Sequence, residues 1–348
     1  MASFLDLPRE IRDDILHHVL LLEHPAPAER EDEADRTPIT DITARCRLFK
    51  DSVLYEKQTV RPMATALMLA NRQLNNETQA ALYRLPDQGR RFKVDIMFLE
   101  ERELWVTFTH VPLCRTSLDQ VDVTIRLVGT MRGFGAGFSH EKTNIPPLRQ
   151  NLGRDHGPPA VVFPFYYALE RFLRAGPTGQ PATTPDRTDL DRHMVVKHLV
   201  LNFVSPDDPN LLAGPDERIL WRRARRLGGT PLTPASTLAT LTAEREAVEY
   251  QAKLGRPEWL AGLLASCLRM MINTTPRMAL RHGGLLYERV GEISVKVDGA
   301  TIEKIDLGAM IDRLSCHLSP ASPRYEDVKV RFDEWHVSVL ASRRAAGL

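Results

Sequence analysis

Gly129, Gly133, Gly135 and Gly137 crowd the segment Gly129–Phe138 just after an alternating apolar run, the place where a phosphate-binding loop would be sought. A dinucleotide loop needs G-x-G-x-x-G leading into a helix, so that backbone amides point at a pyrophosphate. Here Phe138 takes the last glycine position, Ser139–Pro146 carries no helical pattern, and no Walker-type Gly-Lys-Ser/Thr follows, so the segment reads as a loop. Metal binding needs three or four clustered ligands. His17 and His18 are adjacent on a helix and diverge, His110 and Cys114 flank Pro112, and Cys316-His317 stands alone, so no set forms. No G-x-S-x-G elbow offers a nucleophile. His198 falls inside a central-strand pattern and reads as a core histidine, and Met270-Met271 beside Trp259 reads as core packing. These residues nominate no catalytic site, no cofactor and no metal.

The elements behind these residues change period along the chain. Leu7, Ile11, Ile15 and Val19 recur at i+4, widened by Leu16 and Leu20, with Arg9, Arg12, Asp13 and His17 assigned to the opposite face. Pro8 suits the first turn of that helix, and Pro25 and Pro27 end it. A second helical region is predicted over Met63–Arg84, introduced by Pro62. From about residue 90 the pattern alternates: Phe92, Val94, Ile96 and Phe98; Leu104, Val106 and Phe108; Val121, Val123, Ile125 and Leu127; and later Ile293, Val295 and Val297. Alternation means one buried and one wet face, so an open-faced antiparallel or mixed sheet is expected. Val195–Phe203 is apolar in both registers and reads as a central strand, and Asp298-Gly299 signals a turn into a return strand. Helices are expected at Phe163–Leu173, Ala243–Leu254, from Pro257 to Met271, near Leu307–Leu314 and over Asp327–Ser342. The one after Pro257 is apolar nearly all round and is expected to be the most buried. The fold class that follows is α+β. A helical region over residues 1–88, with an acidic Pro-flanked linker at about 23–40, precedes an α+β domain over 89–348.

Composition narrows the function classes. The 348 residues carry 46 Lys+Arg against 45 Asp+Glu, a formal charge of +1, which argues against a general nucleic-acid binder. The basic run Arg222–Arg226 is a short local exception. No stretch approaches a membrane span, and charges at Arg9, Glu10, Arg12, Asp13 and Asp14 occupy the place of a signal peptide's apolar core. The four cysteines lie at wide spacing without a C-x-x-C pair. The expectation is an intracellular protein, cytoplasmic or nuclear, with reduced thiols.

The segment Phe4-Leu5-Asp6-Leu7-Pro8-Arg9-Glu10-Ile11-Arg12-Asp13-Asp14-Ile15-Leu16 resembles the opening helix of an F-box, and more narrowly the F-box-like proteins of filamentous fungi. Leu69–Glu77 with Ala81-Leu82-Tyr83 is similar to a second recurring segment of that group, and Val123–Leu127, Leu169–Leu173, His198–Phe203 and Leu286–Gly291 also resemble it. The family is an adaptor family. The resemblance implies an N-terminal helix docking a Skp1-like adaptor of a cullin-based ubiquitin ligase, while the α+β domain selects an unknown protein target. Carried over by position, Leu5, Leu7, Pro8, Ile11, Ile15 and Leu16 would face Skp1. The chain departs from the usual compact bundle by the acidic insertion from Glu23 to Thr40 and by lacking a Cys-Lys-x-Trp segment. The alternative is a stand-alone interaction protein whose N-terminal stripe packs onto the Met63–Arg84 region.

Overall fold

The computed structural model describes residues 4–27, 35–38, 52–57, 60, 62–85, 90–99, 103–128, 162–177, 193–205, 257–273, 283–314 and 325–348. The strands are β1 (Arg36–Pro38), β2 (Val53–Glu56), β3 (Arg91–Leu99), β4 (Glu103–His110), β5 (Ser117–Val128), β6 (Val195–Val204), β7 (Val290–Val297) and β8 (Ala300–Asp306). The helices are α1 (Arg9–Leu20), α2 (Met63–Ala70), α3 (Arg72–Arg84), α4 (Val162–Ala175), α5 (Pro257–Asn273), α6 (Gly284–Arg289), α7 (Leu307–Ile311) and α8 (Tyr325–Ala346).

The fold is α+β, built on one mixed sheet of eight strands in the order β1-β2-β4-β3-β5-β6-β7-β8. Its centre is parallel: β3, β5, β6 and β7 run side by side in the same direction. Antiparallel pairs close both sides, β3 with β4 and β7 with β8, and β1 with β2 at one edge. The Asp298-Gly299 turn joins β7 to β8 with φ of 46° and 81°, the left-handed pair a tight hairpin requires. The crossovers from β5 to β6 and from β6 to β7 step across the sheet in one direction. Right-handed crossovers of that kind put their helices on a single face. Side chains of α4, α5, α6, α7 and α8 accordingly join one core with Phe92, Val94, Ile96, Val106, Val123, Leu199 and Ile293 of the strands.

The opposite face carries the alternate residues. Among the described residues, Met97, Leu99 and Trp105, with Leu54 and Val128 beside them, make a small apolar cluster there. Asp95 accepts from both Nε and Nη2 of Arg126 at 2.7 Å, an ion pair that ties β3 to β5 on this polar side. His198 also lies here and is exposed, so it is not a core histidine: its position in the β6 alternation points it away from the helices.

Two expectations change in detail. The Met63–Arg84 region is two helices, broken at Asn71, whose extended backbone (φ −165°, ψ 169°) lets its side chain accept from the Leu74 amide at 2.9 Å and cap α3. Helix α5, apolar nearly all round in sequence, still keeps an outer side: Leu260, Ala261, Leu264, Leu268 and Ile272 face the core while Glu258, Ser266 and Arg269 are exposed. The Ala243–Leu254 helix, the Gly129–Phe138 segment, the Arg222–Arg226 run, Cys46 and Cys316-His317 lie outside the described residues.

Buried polar side chains fasten the helices. Tyr287 of α6, its hydroxyl pushed up to about 12 by burial, stays protonated and donates to the Ile272 carbonyl at 3.1 Å. Arg289 donates to the Leu173 carbonyl at 2.8 Å, and Arg343 of α8 donates to the Val290 carbonyl at 2.8 Å. At Gly291 the backbones of β6 and β7 meet so closely that a Cβ would lie 2.5 Å from the Lys197 carbonyl oxygen. Gly262 in α5 has nothing within 4 Å of the same position. Gly291→Ala is therefore expected to cost roughly 1–3 kcal/mol by overpacking. Gly262→Ala should gain roughly 0.5–1 kcal/mol from helix propensity. Urea unfolding of the two variants checks both signs.

Candidate partner-docking site

The N-terminal segment opens with a 3-10 turn at Phe4–Asp6, and Pro8, in extended conformation (φ −53°, ψ 148°), hands the chain to α1. The charged side chains decide which side of α1 turns inward. Arg12 is 8% exposed and forms a two-pronged bond with Glu77 of α3, Nε to Oε2 at 3.0 Å and Nη2 to Oε1 at 2.7 Å. Its remaining amine donates to the carbonyls of Leu5 and Leu7 in the lead-in turn. Gln73 also donates to Glu77 Oε1, at 3.0 Å. The next residue, Asp13, accepts from Arg84 and from Arg9, each at 3.0 Å. Arg12 was expected on the outer face, and the structure places it at the centre of the α1–α3 contact. The missed partner, Glu77, is 65 positions away in sequence, so no local spacing signals it.

Apolar packing follows the same orientation. Leu16, 1% exposed, and Leu20 join Ala64 of α2 and Ala81 and Leu82 of α3 in a core separate from that of the sheet. The three helices thus form a small module. On the other side of α1, Ile11 is 47% exposed and Ile15 37%, followed by exposed His18 and by Leu22 at 57% just beyond the helix. The spacing 11, 15, 18, 22 is one continuous stripe on a helical surface. Of the six residues carried over by resemblance, Pro8, Ile11 and Ile15 are exposed, Leu5 and Leu7 are half-buried, and Leu16 is a core residue of the module. The single wide face expected from Leu7 to Leu20 is therefore split. Leu16 and Leu20 follow Arg12 inward, and the Ile11–Ile15 line is left on the outside. Leu69 of α2 and Tyr83 of α3 are also exposed, at 80% and 87%.

No family model, no curated protein and no solved structure matches this chain.

The module is joined to the sheet through the connector that follows β4. The first free amides of α2, Met63 and Ala64, donate to the carbonyls of Val111 and Pro112 at 3.0 and 2.9 Å, so the connector caps the helix. His24 donates from its amide to the Thr109 carbonyl at 2.7 Å, and His110 Nδ1 donates to the Leu22 carbonyl at 3.1 Å. Burial holds the His110 pKa below its ordinary 6.5, so the ring is neutral where it clasps the end of α1. Beyond it, Pro27 is buried and its carbonyl accepts from Arg126 at 2.9 Å. The described ends of the 23–40 stretch are thus tied to the sheet, residues 36–38 as strand β1. Strands β1 and β2 belong to the 1–88 region yet pair into the sheet of the α+β body, β2 directly with β4. Among the described residues no group of three or more His, Cys, Asp or Glu could hold a metal ion, and no helix is long and apolar enough to cross a membrane.

The ion pairs give the module a pH dependence of definite sign. The hydrogen bond from Arg12 is the main cause that holds the Glu77 carboxyl below its ordinary 4.5, and that from Arg84 lowers Asp13 from 3.8, each against the opposing effect of burial. A depressed carboxyl stabilises the fold fully above its unfolded pKa, and that contribution is lost as pH falls through the lower native value. Wild-type urea midpoints should therefore fall between pH 6 and pH 3 more steeply than those of Glu77→Gln, which should be the less stable protein at pH 6. Leu16→Ala should cost roughly 2–5 kcal/mol at either pH, as a buried leucine truncation.

Proposed function

We propose that this chain is a protein-interaction adaptor of the F-box kind, in which the outer face of α1 docks a Skp1-like subunit of a cullin-based ubiquitin ligase and the α+β body receives the target. One observation carries the reading: Ile11 and Ile15 are exposed at 47% and 37% on a helix whose other side is fully committed to internal packing. β-branched aliphatic side chains on a rigid helix are anchors for a helix-in-groove contact, because they bring apolar area and little side-chain entropy to lose. Pro8 begins the stripe and Leu22 extends it. Half-buried Leu5 and Leu7 support it from the lead-in turn, where Arg12 binds their carbonyls. Leu16 contributes by holding α1 on α2 and α3, not by touching the partner.

The competing reading, a stand-alone interaction protein, draws on the burial of Leu16 and Leu20. The two separate on one measurement. With purified Skp1 and the full chain, docking predicts a stable complex, and Ile11→Asp with Ile15→Asp should weaken it by about thirtyfold or more, the effect of losing about 2 kcal/mol at a buried hot spot. The double variant should keep the wild-type far-ultraviolet circular dichroism, since both side chains lie on the exposed side of α1. Failure of the wild type to bind Skp1 at micromolar concentration, or wild-type binding by the double variant, sinks the adaptor reading.

A further inference from the structure

Strand β8 ends the sheet and pairs with β7 on one side. Among the described residues no backbone hydrogen bond reaches its outer edge, and Ala300, Thr301, Ile302, Lys304 and Asp306 are exposed. A bare edge presents alternating amides and carbonyls with which another chain can pair. Two features oppose pairing with a second β8. The register shifts between Val295 and Lys296, which leaves Ile302 as an extra residue with no partner on β7. In an antiparallel pair of two β8 strands centred on Glu303 or Lys304, like charges would also stand opposite one another. The charges that discourage a second copy select a different strand. At the end of β8 lies a recess of about 250 Å³, lined by Arg269 of α5 and by Lys304, Asp306, Ala309 and Arg313. These five residues are exposed, so the recess is open to solvent. Its one lining carboxylate is committed, since Asp306 Oδ1 accepts from the Ala309 amide at 2.9 Å. Arg269 pairs with Glu303. Lys304 is held loosely, 3.8 Å from Glu292 with 64% of its side chain exposed, and Arg313 has no carboxylate partner among the described residues. Positive charge is therefore available where the bare edge ends.

We infer that the β8 edge receives an extended acidic peptide as an added strand, paired main chain to main chain along Glu303–Asp306, with its carboxylates at Lys304 and Arg313. Main-chain hydrogen bonds give such a contact its affinity, and the side chains beside the edge give it selectivity. Ile302, 49% exposed, offers an aliphatic contact at the other end of the strand. The peptide that fits carries an aliphatic residue followed or preceded by two carboxylates in an extended stretch. The inference supplies the target chemistry of the adaptor reading and rests on that reading only for calling the peptide a target. Skp1 docking belongs to α1, so Ile11→Asp with Ile15→Asp leaves peptide binding at β8 unchanged.

The test uses the full chain and the acetylated, amidated peptide Thr-Val-Thr-Glu-Thr-Glu-Thr. Titration calorimetry should give one-to-one binding at micromolar concentration, and amide hydrogen exchange over residues 300–306 should slow when the peptide is added. Lys304→Glu with Arg313→Glu should weaken binding by at least about tenfold, or 1.4 kcal/mol. The same peptide with lysine in place of glutamate should then bind that variant and not the wild type, an exchange of preference that a misfolded protein cannot give. N-methylation of alternate peptide amides should abolish binding in one of its two phases, because only one set of amides faces β8. The inference is overturned if the wild type does not bind at submillimolar peptide, if a glutamine peptide binds as tightly, or if exchange over 300–306 is unchanged. Binding that survives both phases of N-methylation overturns it as well. Exchange over 300–306 that slows with protein concentration alone assigns the edge to a second copy of this chain instead.

Discussion

The bond between Arg12 and Glu77 sets the orientation on which the N-terminal module depends. A guanidinium and a carboxylate meeting in a two-pronged geometry at 2.7 and 3.0 Å permit few rotations of α1 about its own axis. Once Arg12 faces α3, Leu16 and Leu20 must turn into the small core, and Ile11 and Ile15 must turn out. Buried ion pairs add little net stability, because desolvation offsets most of the Coulomb gain. Their better-attested contribution is to choose one arrangement among several of similar apolar burial. Here the choice decides which side chains solvent reaches, since rotating α1 by about a third of a turn would exchange the buried and exposed aliphatic lines.

The connector after β4 transmits that orientation to the rest of the chain. Within residues 109–113 the backbone accepts from His24, Met63 and Ala64, the His110 ring clasps the Leu22 carbonyl, and Leu113 packs against the small core. Each of these bonds satisfies a backbone group that burial would otherwise leave unpaired, which is why the module and the sheet meet along main chain rather than through loose side-chain contact. The buried, neutral His110 ring adds to the acid sensitivity of this joint: the unfolded chain takes up a proton as pH falls below 6.5 before the native one does. Strands β1 and β2 strengthen the connection by pairing into the sheet.

The sheet divides its two faces by role. One is covered by helices α4, α5, α6, α7 and α8. The other is polar and carries the Arg126–Asp95 pair, the anchored Pro27 segment and exposed His198. Parallel strands are usually covered on both faces. The polar alternation of Asp122, Thr124 and Arg126 on β5 shows that this parallel centre keeps one face free of helices among the described residues.

Much of the architecture follows from local pattern. Alternation at Phe92–Phe98 and Val121–Leu127, the central run Val195–Phe203 and the Asp298-Gly299 turn all correspond to observed strands and their hairpin, because strand side chains alternate with a period of two whatever their neighbours do. Pattern alone leaves strand direction open, so the parallel centre was decided by tertiary structure. The short strands β1 and β2 are not signalled by pattern for a related reason: three or four residues hold too little periodicity, and β2 is a strand because β4 pairs with it, as β1 is because β2 does. Helix α1 shows the same division. That α1 exists, begins after Pro8 and carries two aliphatic lines is written in its own dozen residues. Which line is buried is written in Glu77 and Arg84, far along the chain, because a helix with apolar residues over half its circumference has no preferred inward direction until a partner with fixed charge geometry packs against it.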